Sequence, residues 1–266
     1  MHETAKKYLT CNQLARITAY AREHYYTQKL DYYHNWNHVE RMLNMLSEIV
    51  EDKQLVKMSP KMYTCLYVAI VYHDAAYMPG IDGNEETAME LVENLWENEH
   101  VSECGIDESL MREIGQYASY LIESTKSHKE ATTNIKYLDN QAVALLHDLD
   151  YMGFATDYER PGVALVLTNE SALQDEWFDS LHREITDEDI RKFCLKRKLF
   201  CEDLMLRVEQ DNKLYMLDCF SDLNLTAYIT LKRLCEYYAD RLEYLGGLQP
   251  HIVIEQQQRG DINENR

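Results

Sequence analysis

Apolar residues recur at three- and four-residue intervals through most of this chain. Val39, Met42, Leu43, Leu46, Ile49 and Val50 form one such stripe, separated by polar positions, which is the pattern of a helix with a single buried face. Comparable patterns run through about residues 11–27, 36–51, 60–77, 84–98, 108–126, 139–152, 187–208 and 222–245. Turn-forming residues are scarce, with 9 Gly and 4 Pro in 266 residues, so helices should dominate. Start signals agree with the pattern. Ser59-Pro60 reads as an N-cap followed by proline at the first helical position, and Thr10-Cys-Asn-Gln13 reads as a capping box. The expected fold class is therefore all-α. Residues 1–245 are expected to form a single domain, and the stretch 246–266, Gln- and Asn-rich after Pro250, is expected to be a mobile tail.

Three places break the apolar pattern in a way that calls for chemistry. His73-Asp74 sits inside the run Tyr67–Tyr77, where an ionised group costs several kcal/mol unless it is paired or bound to a metal. His38 lies at the mouth of the stripe that begins at Val39. Asp148 and Asp150 fall in a third apolar segment, Ala144–Gly153. A helix C-cap and an ion pair would explain the His-Asp dipeptide alone. Three helices that each carry a nitrogen or oxygen ligand instead suggest a mixed set suited to Mn, Co, Ni, Fe, Zn or Mg.

The order His38, His73-Asp74, Asp148 resembles the HD-domain superfamily of metal-dependent phosphohydrolases. The flanking blocks Tyr33–Val39, Tyr72–Tyr77, Asn84–Ala88, Ser124–His128 and His147–Gly153 resemble its branch of predicted phosphohydrolases, and the resemblance spans residues 33–153. It implies an HD-domain helical bundle with additional C-terminal helices, and a divalent ion held by His38, His73, Asp74 and Asp148. Asp148 is preferred to Asp150 because it keeps the family's distance to Gly153. Two features depart from the branch: no Arg precedes Tyr33, and Leu146 stands where an acidic residue is usual. The implied activity is hydrolysis of a nucleotide or other small phosphoester by metal-activated water. The alternatives are an HD-type di-iron oxygenase and a non-catalytic metal- or nucleotide-binding regulatory protein.

Further candidates follow from the same blocks. Lys126 and His128 are expected to contact the substrate's phosphate and take part in catalysis, although a cation near a helix C-terminus also meets the macrodipole. His34, four residues before His38, is a candidate for substrate contact or for orienting a ligand. Glu85 is a candidate for positioning or deprotonating water. The basic residues Arg191-Lys192 and Lys196-Arg197-Lys198 read as a solvated helix face.

Charge and cysteine usage narrow the classes. A formal net charge of −19 disfavours duplex nucleic acid as a partner, because that binding depends on clustered Lys and Arg. The seven cysteines contain no Cys-x-x-Cys pair, which argues against a zinc ribbon or a disulfide framework. No apolar run reaches membrane-spanning length and no N-terminal stretch resembles a signal peptide, so a cytoplasmic location is expected. The oligomeric state is open.

Overall fold

The computed structural model describes residues 8–27, 32–79, 82–103, 105–126, 140–154, 163–211 and 214–246. Helix α1 (Cys11–Ala21) opens on the expected capping box: the Thr10 side chain accepts from Gln13 N, and Gln13 reaches back to Thr10 N. It widens into a π-helical turn, Arg22–Tyr26, from which the Tyr26 hydroxyl donates to the Val71 carbonyl at 2.9 Å. Helix α2 (Trp36–Ser47) is capped by Asn35, whose side chain accepts from Asn37 N and His38 N, and it also ends in a π-helical turn, Glu48–Asp52. The Ser59 cap and Pro60 start α3 (Pro60–Tyr72).

Helix α3 is the axis of the bundle. Eight of its thirteen residues are buried, on all sides, as its uniform apolarity requires. It packs against α1 and α2, and against α4 (Asn84–Glu93), α6 (Glu108–Glu123) and α7 (Gln141–Tyr151), while the short α5 (Glu99–Ser102) touches α1. Helices α4 and α6 come unusually close at Gly115, where a Cβ would meet the Val92 carbonyl oxygen at 2.3 Å.

The C-terminal part is built from α8 (Val163–Asp179), α9 (Asp187–Asp211) and α10 (Leu223–Tyr244). Phe193, Cys194, Cys201, Leu204 and Val208 of α9 are buried, as are Ala227, Leu231, Leu234, Tyr238 and Leu242 of α10; each set follows the helical period, and the two helices pack along their lengths. No strand occurs among the described residues. No helix among them is long and apolar enough to cross a membrane.

The all-α class and most helix positions follow the sequence pattern. Helix α8 does not, because its apolar residues fall in separate groups, 163–167, Ala172-Leu173 and Trp177-Phe178, with Asn169, Glu170, Asp175 and Glu176 between them and no clean stripe. The expected tail beyond Gly246 lies outside the described residues, as does His128.

Candidate metal centre

Three helix ends meet at one point. Asn35 starts α2 so that His38 stands in its first turn; α3 ends at Tyr72, with His73 as its C-cap and Asp74 next; Asp150 lies in the last turn of α7. The histidine nitrogens and carboxylate oxygen of His38, His73 and Asp74 lie within 4.8 Å of one another. His73 Nε2 is 3.0 Å from Asp74 Oδ2, and His38 Nε2 is 3.7 Å from the same oxygen and 3.1 Å from Asp150 Oδ1. Both histidines are buried, yet neither Nε2 has a hydrogen-bond partner. Their close approaches are therefore convergent rather than aligned along N–H···O lines, which is how ligands around a common centre are disposed.

The local chemistry fits a divalent cation. The His73 ring donates from Nδ1 to the Ile70 carbonyl at 2.8 Å, an arrangement that directs Nε2 toward the cluster. Burial opposes protonation of His73, but the charge of Asp74 outweighs it and pushes the imidazole up to about 9, so a proton would compete with any metal ion for Nε2. Burial dominates at His38 and lowers its pKa, partly offset by Asp150. Asp74 would be raised by burial, but His73, His34 and His38 hold it far below the usual carboxylate range. Two neutral imidazoles and two carboxylates would balance a divalent ion. The negative ends of the α3 and α7 dipoles point to the same place and favour a cation.

The expected ligand Asp148 is not at this cluster; Asp150 instead borders it, 3.1 Å from His38 but outside the group whose ligand atoms all lie within 4.8 Å of one another. Side chains two residues apart on a helix diverge by about 200°. Asp148 accordingly points the other way, where it is wholly buried and accepts from Met216 N at 2.7 Å and Leu217 N at 2.8 Å. His147 Nδ1 approaches the same carboxylate at 3.1 Å. Asp148 therefore binds the segment after α9 to α7, and the Tyr215 hydroxyl reinforces this by donating to the Tyr151 carbonyl. The distance to Gly153 was a poor guide because side-chain direction, not spacing to a glycine, decides which carboxylate faces α2 and α3.

The remaining candidates are dispersed. His34 is beside the cluster: it stacks on Tyr77 at 4.0 Å between centroids, and its Nδ1 is 2.6 Å from Glu176 Oε1. Burial would lower the His34 pKa, but Asp74 and the Glu176 hydrogen bond outweigh it and the net shift is upward. Burial and Glu176, then more weakly Asp74 and Glu85, raise the Tyr77 phenol, which puts Glu85 on the Tyr77 side of the site. Lys126 pairs with Glu86 at 2.7 Å and lines neither of the two cavities that reach Asp150.

Those cavities contain residues that sequence reasoning passed over. One, of about 210 Å³, runs past Asp150 between Tyr151, Phe154 and Phe200 to Asn169, Glu170 and Arg197. Arg197 is not on a solvated face: its side chain is only 16% exposed, and its Nε and Nη2 donate to Glu170 at 2.9 and 2.7 Å. Tyr238 donates to the same carboxylate. The other cavity, of about 270 Å³, has Tyr33, His38, Arg41 and Asp150 in its wall. Glu170 and Glu176 lie on α8, which had no periodic signature, and neither could be found from the sequence alone. Arg41, three residues after His38, shares its helix face and could have been found.

No protein-family model, no curated protein and no solved structure matches this chain.

Proposed function

We propose that this protein is a metal-dependent phosphohydrolase acting on a small phosphoester, with His38, His73, Asp74 and Asp150 holding one divalent ion. The reading rests on the convergence of two buried Nε2 atoms, neither hydrogen-bonded, on the Asp74 and Asp150 carboxylates where two helix C-termini meet. The bound ion would supply a Lewis acid for a phosphoryl oxygen and lower the pKa of water. The phosphohydrolase class comes from the resemblance of the blocks at 33–153 to the HD-domain superfamily, with Asp150 in place of Asp148.

The chain's own residues have distinct tasks in this reading. Ile70 orients His73 through its carbonyl, and the Asn35 cap at the start of α2 sets the place of His38. Glu176 and Tyr77 hold His34 at the edge of the site, where its ring can meet a substrate oxygen. The aromatic wall of Tyr33, Tyr151, Phe154 and Phe200 suits a planar base beside the phosphate, which favours a nucleotide.

Elemental analysis after chelation and refilling tests the ligand set. Wild type should retain about one metal per chain, and the double variant His73→Ala, Asp74→Ala should retain none. Equal metal content in the two would overturn the proposal. A screen of phosphorylated metabolites and nucleotides with Mn, Co, Ni or Mg then tests the reaction class.

A further inference from the structure

We infer that Arg41 is the phosphate anchor of this site, an assignment that rests on the phosphohydrolase reading and adds the group that would hold the substrate's anion. Arg41 follows His38 by three residues on α2, so both side chains lie along one helix face. Both line the cavity of about 270 Å³ that also touches Asp150. Apart from Arg41 and Asp150, the wall of that cavity is made by uncharged and apolar groups such as Asn44, Met42 and Leu149. A fixed cation and two of the candidate metal ligands, His38 and Asp150, therefore face one partly open cavity.

Arg41 makes no hydrogen bond or ion pair among the described residues; its guanidinium lies 6.0 Å from the centroid of the Tyr33 ring. Arg22, over the Trp36 ring, shares that state among the described residues, but it does not line the cavity. Arg112, Arg183, Arg197 and Arg207 each grip a carboxylate. The comparison with Arg197 is the most direct, because Arg197 lines the neighbouring cavity on the other side of Asp150. Glu170 already takes two of its donors and neutralises its charge. Of the two arginines flanking Asp150, only Arg41 has its fork of N–H donors uncommitted among the described residues.

Charge balance gives that fork a task. The Asp74 and Asp150 carboxylates balance a divalent ion and leave no surplus positive charge for a phosphate dianion. In a protein of net charge −19 the surplus must be local. An arginine supplies it in a planar geometry that matches two phosphate oxygens, and the aromatic face of Tyr33 can support the guanidinium without neutralising it.

The test is titration calorimetry of inorganic phosphate into the Mn-loaded full-length protein, comparing wild type, Arg41→Ala and Arg41→Lys. Metal content and melting temperature are measured on the same preparations. The expected result is wild-type Mn content and melting in both variants, phosphate affinity at least about tenfold weaker in Arg41→Ala, and an intermediate value in Arg41→Lys. Equal phosphate affinity in wild type and Arg41→Ala would overturn the Arg41 assignment and leave the metal-site reading standing. Loss of Mn from Arg41→Ala would also overturn it, because Arg41 would then be a support for the ligands. Mn-loaded wild type that binds no phosphate would overturn both readings together.

Discussion

Replacing Asp148 and Asp150 one at a time by Asn separates a structural carboxylate from a metal-binding one. Asp148 is 0% exposed and accepts two backbone N–H groups, from Met216 and Leu217, at 2.7 and 2.8 Å. An asparagine keeps one acceptor oxygen and presents an NH2 group to the second amide, so one bond to a charged acceptor is lost and one N–H faces a donor. Bonds to charged groups contribute about 1.5–3 kcal/mol, which sets the expected loss at about 2–3 kcal/mol. For a domain of this size each kcal/mol moves the melting temperature by about 2–4 °C, so Asp148→Asn should melt about 4–12 °C lower. Asp150 has a different environment: among the described residues it accepts no backbone pair like that of Met216 and Leu217, and it faces His38, whose Nε2 is also 3.7 Å from Asp74. Removing its charge should change the stability of the metal-free protein by less than about 1 kcal/mol, while the ion loses a ligand. The assay is thermal unfolding in chelator, followed by metal analysis of each refilled variant. Asp148→Asn should be destabilised and still take up metal, whereas Asp150→Asn should be stable and metal-poor. The reverse ranking, with metal lost from Asp148→Asn and kept by Asp150→Asn, would refute the assignment of roles.

Two further outcomes are expected. Gly115→Ala places a methyl carbon 2.3 Å from the Val92 carbonyl oxygen, which is backbone and cannot swing aside; despite alanine's better helix propensity, urea unfolding should show a net loss of about 1–3 kcal/mol, and a variant as stable as wild type would contradict the close approach of α4 and α6. His34 makes stability pH-dependent: Asp74 first and then the Glu176 hydrogen bond raise its folded pKa above 6.5, so its contribution is complete below about pH 6.5 and is lost as pH rises through the folded value. Subtracting the melting profile of Glu176→Gln from that of the metal-free wild type should isolate the share of this decline that Glu176 supplies, and parallel profiles would exclude that share.

The sequence by itself determined the fold class and most helix positions, though not α8, because the 3.6-residue apolar period, the Thr10 and Ser59 caps and the shortage of glycine and proline are local properties of the chain. It also marked His38, His73 and Asp74, since ionisable groups in apolar surroundings stand out wherever the fold places them. What it could not determine was direction. Asp148 and Asp150 have similar sequence surroundings, and only the packing of α7 against α2 and α3 turns Asp150 toward His38 and Asp148 toward the amides of Met216 and Leu217. The same limit hid Glu176 and Glu170, whose partners His34 and Arg197 lie 142 and 27 residues away, and it made Arg197 look like part of a solvated face. Burial and pairing of charges depend on long-range contacts, which a one-dimensional pattern does not contain. The tertiary structure alone brings three helix ends to one point and leaves Arg41 facing the cavity beside it.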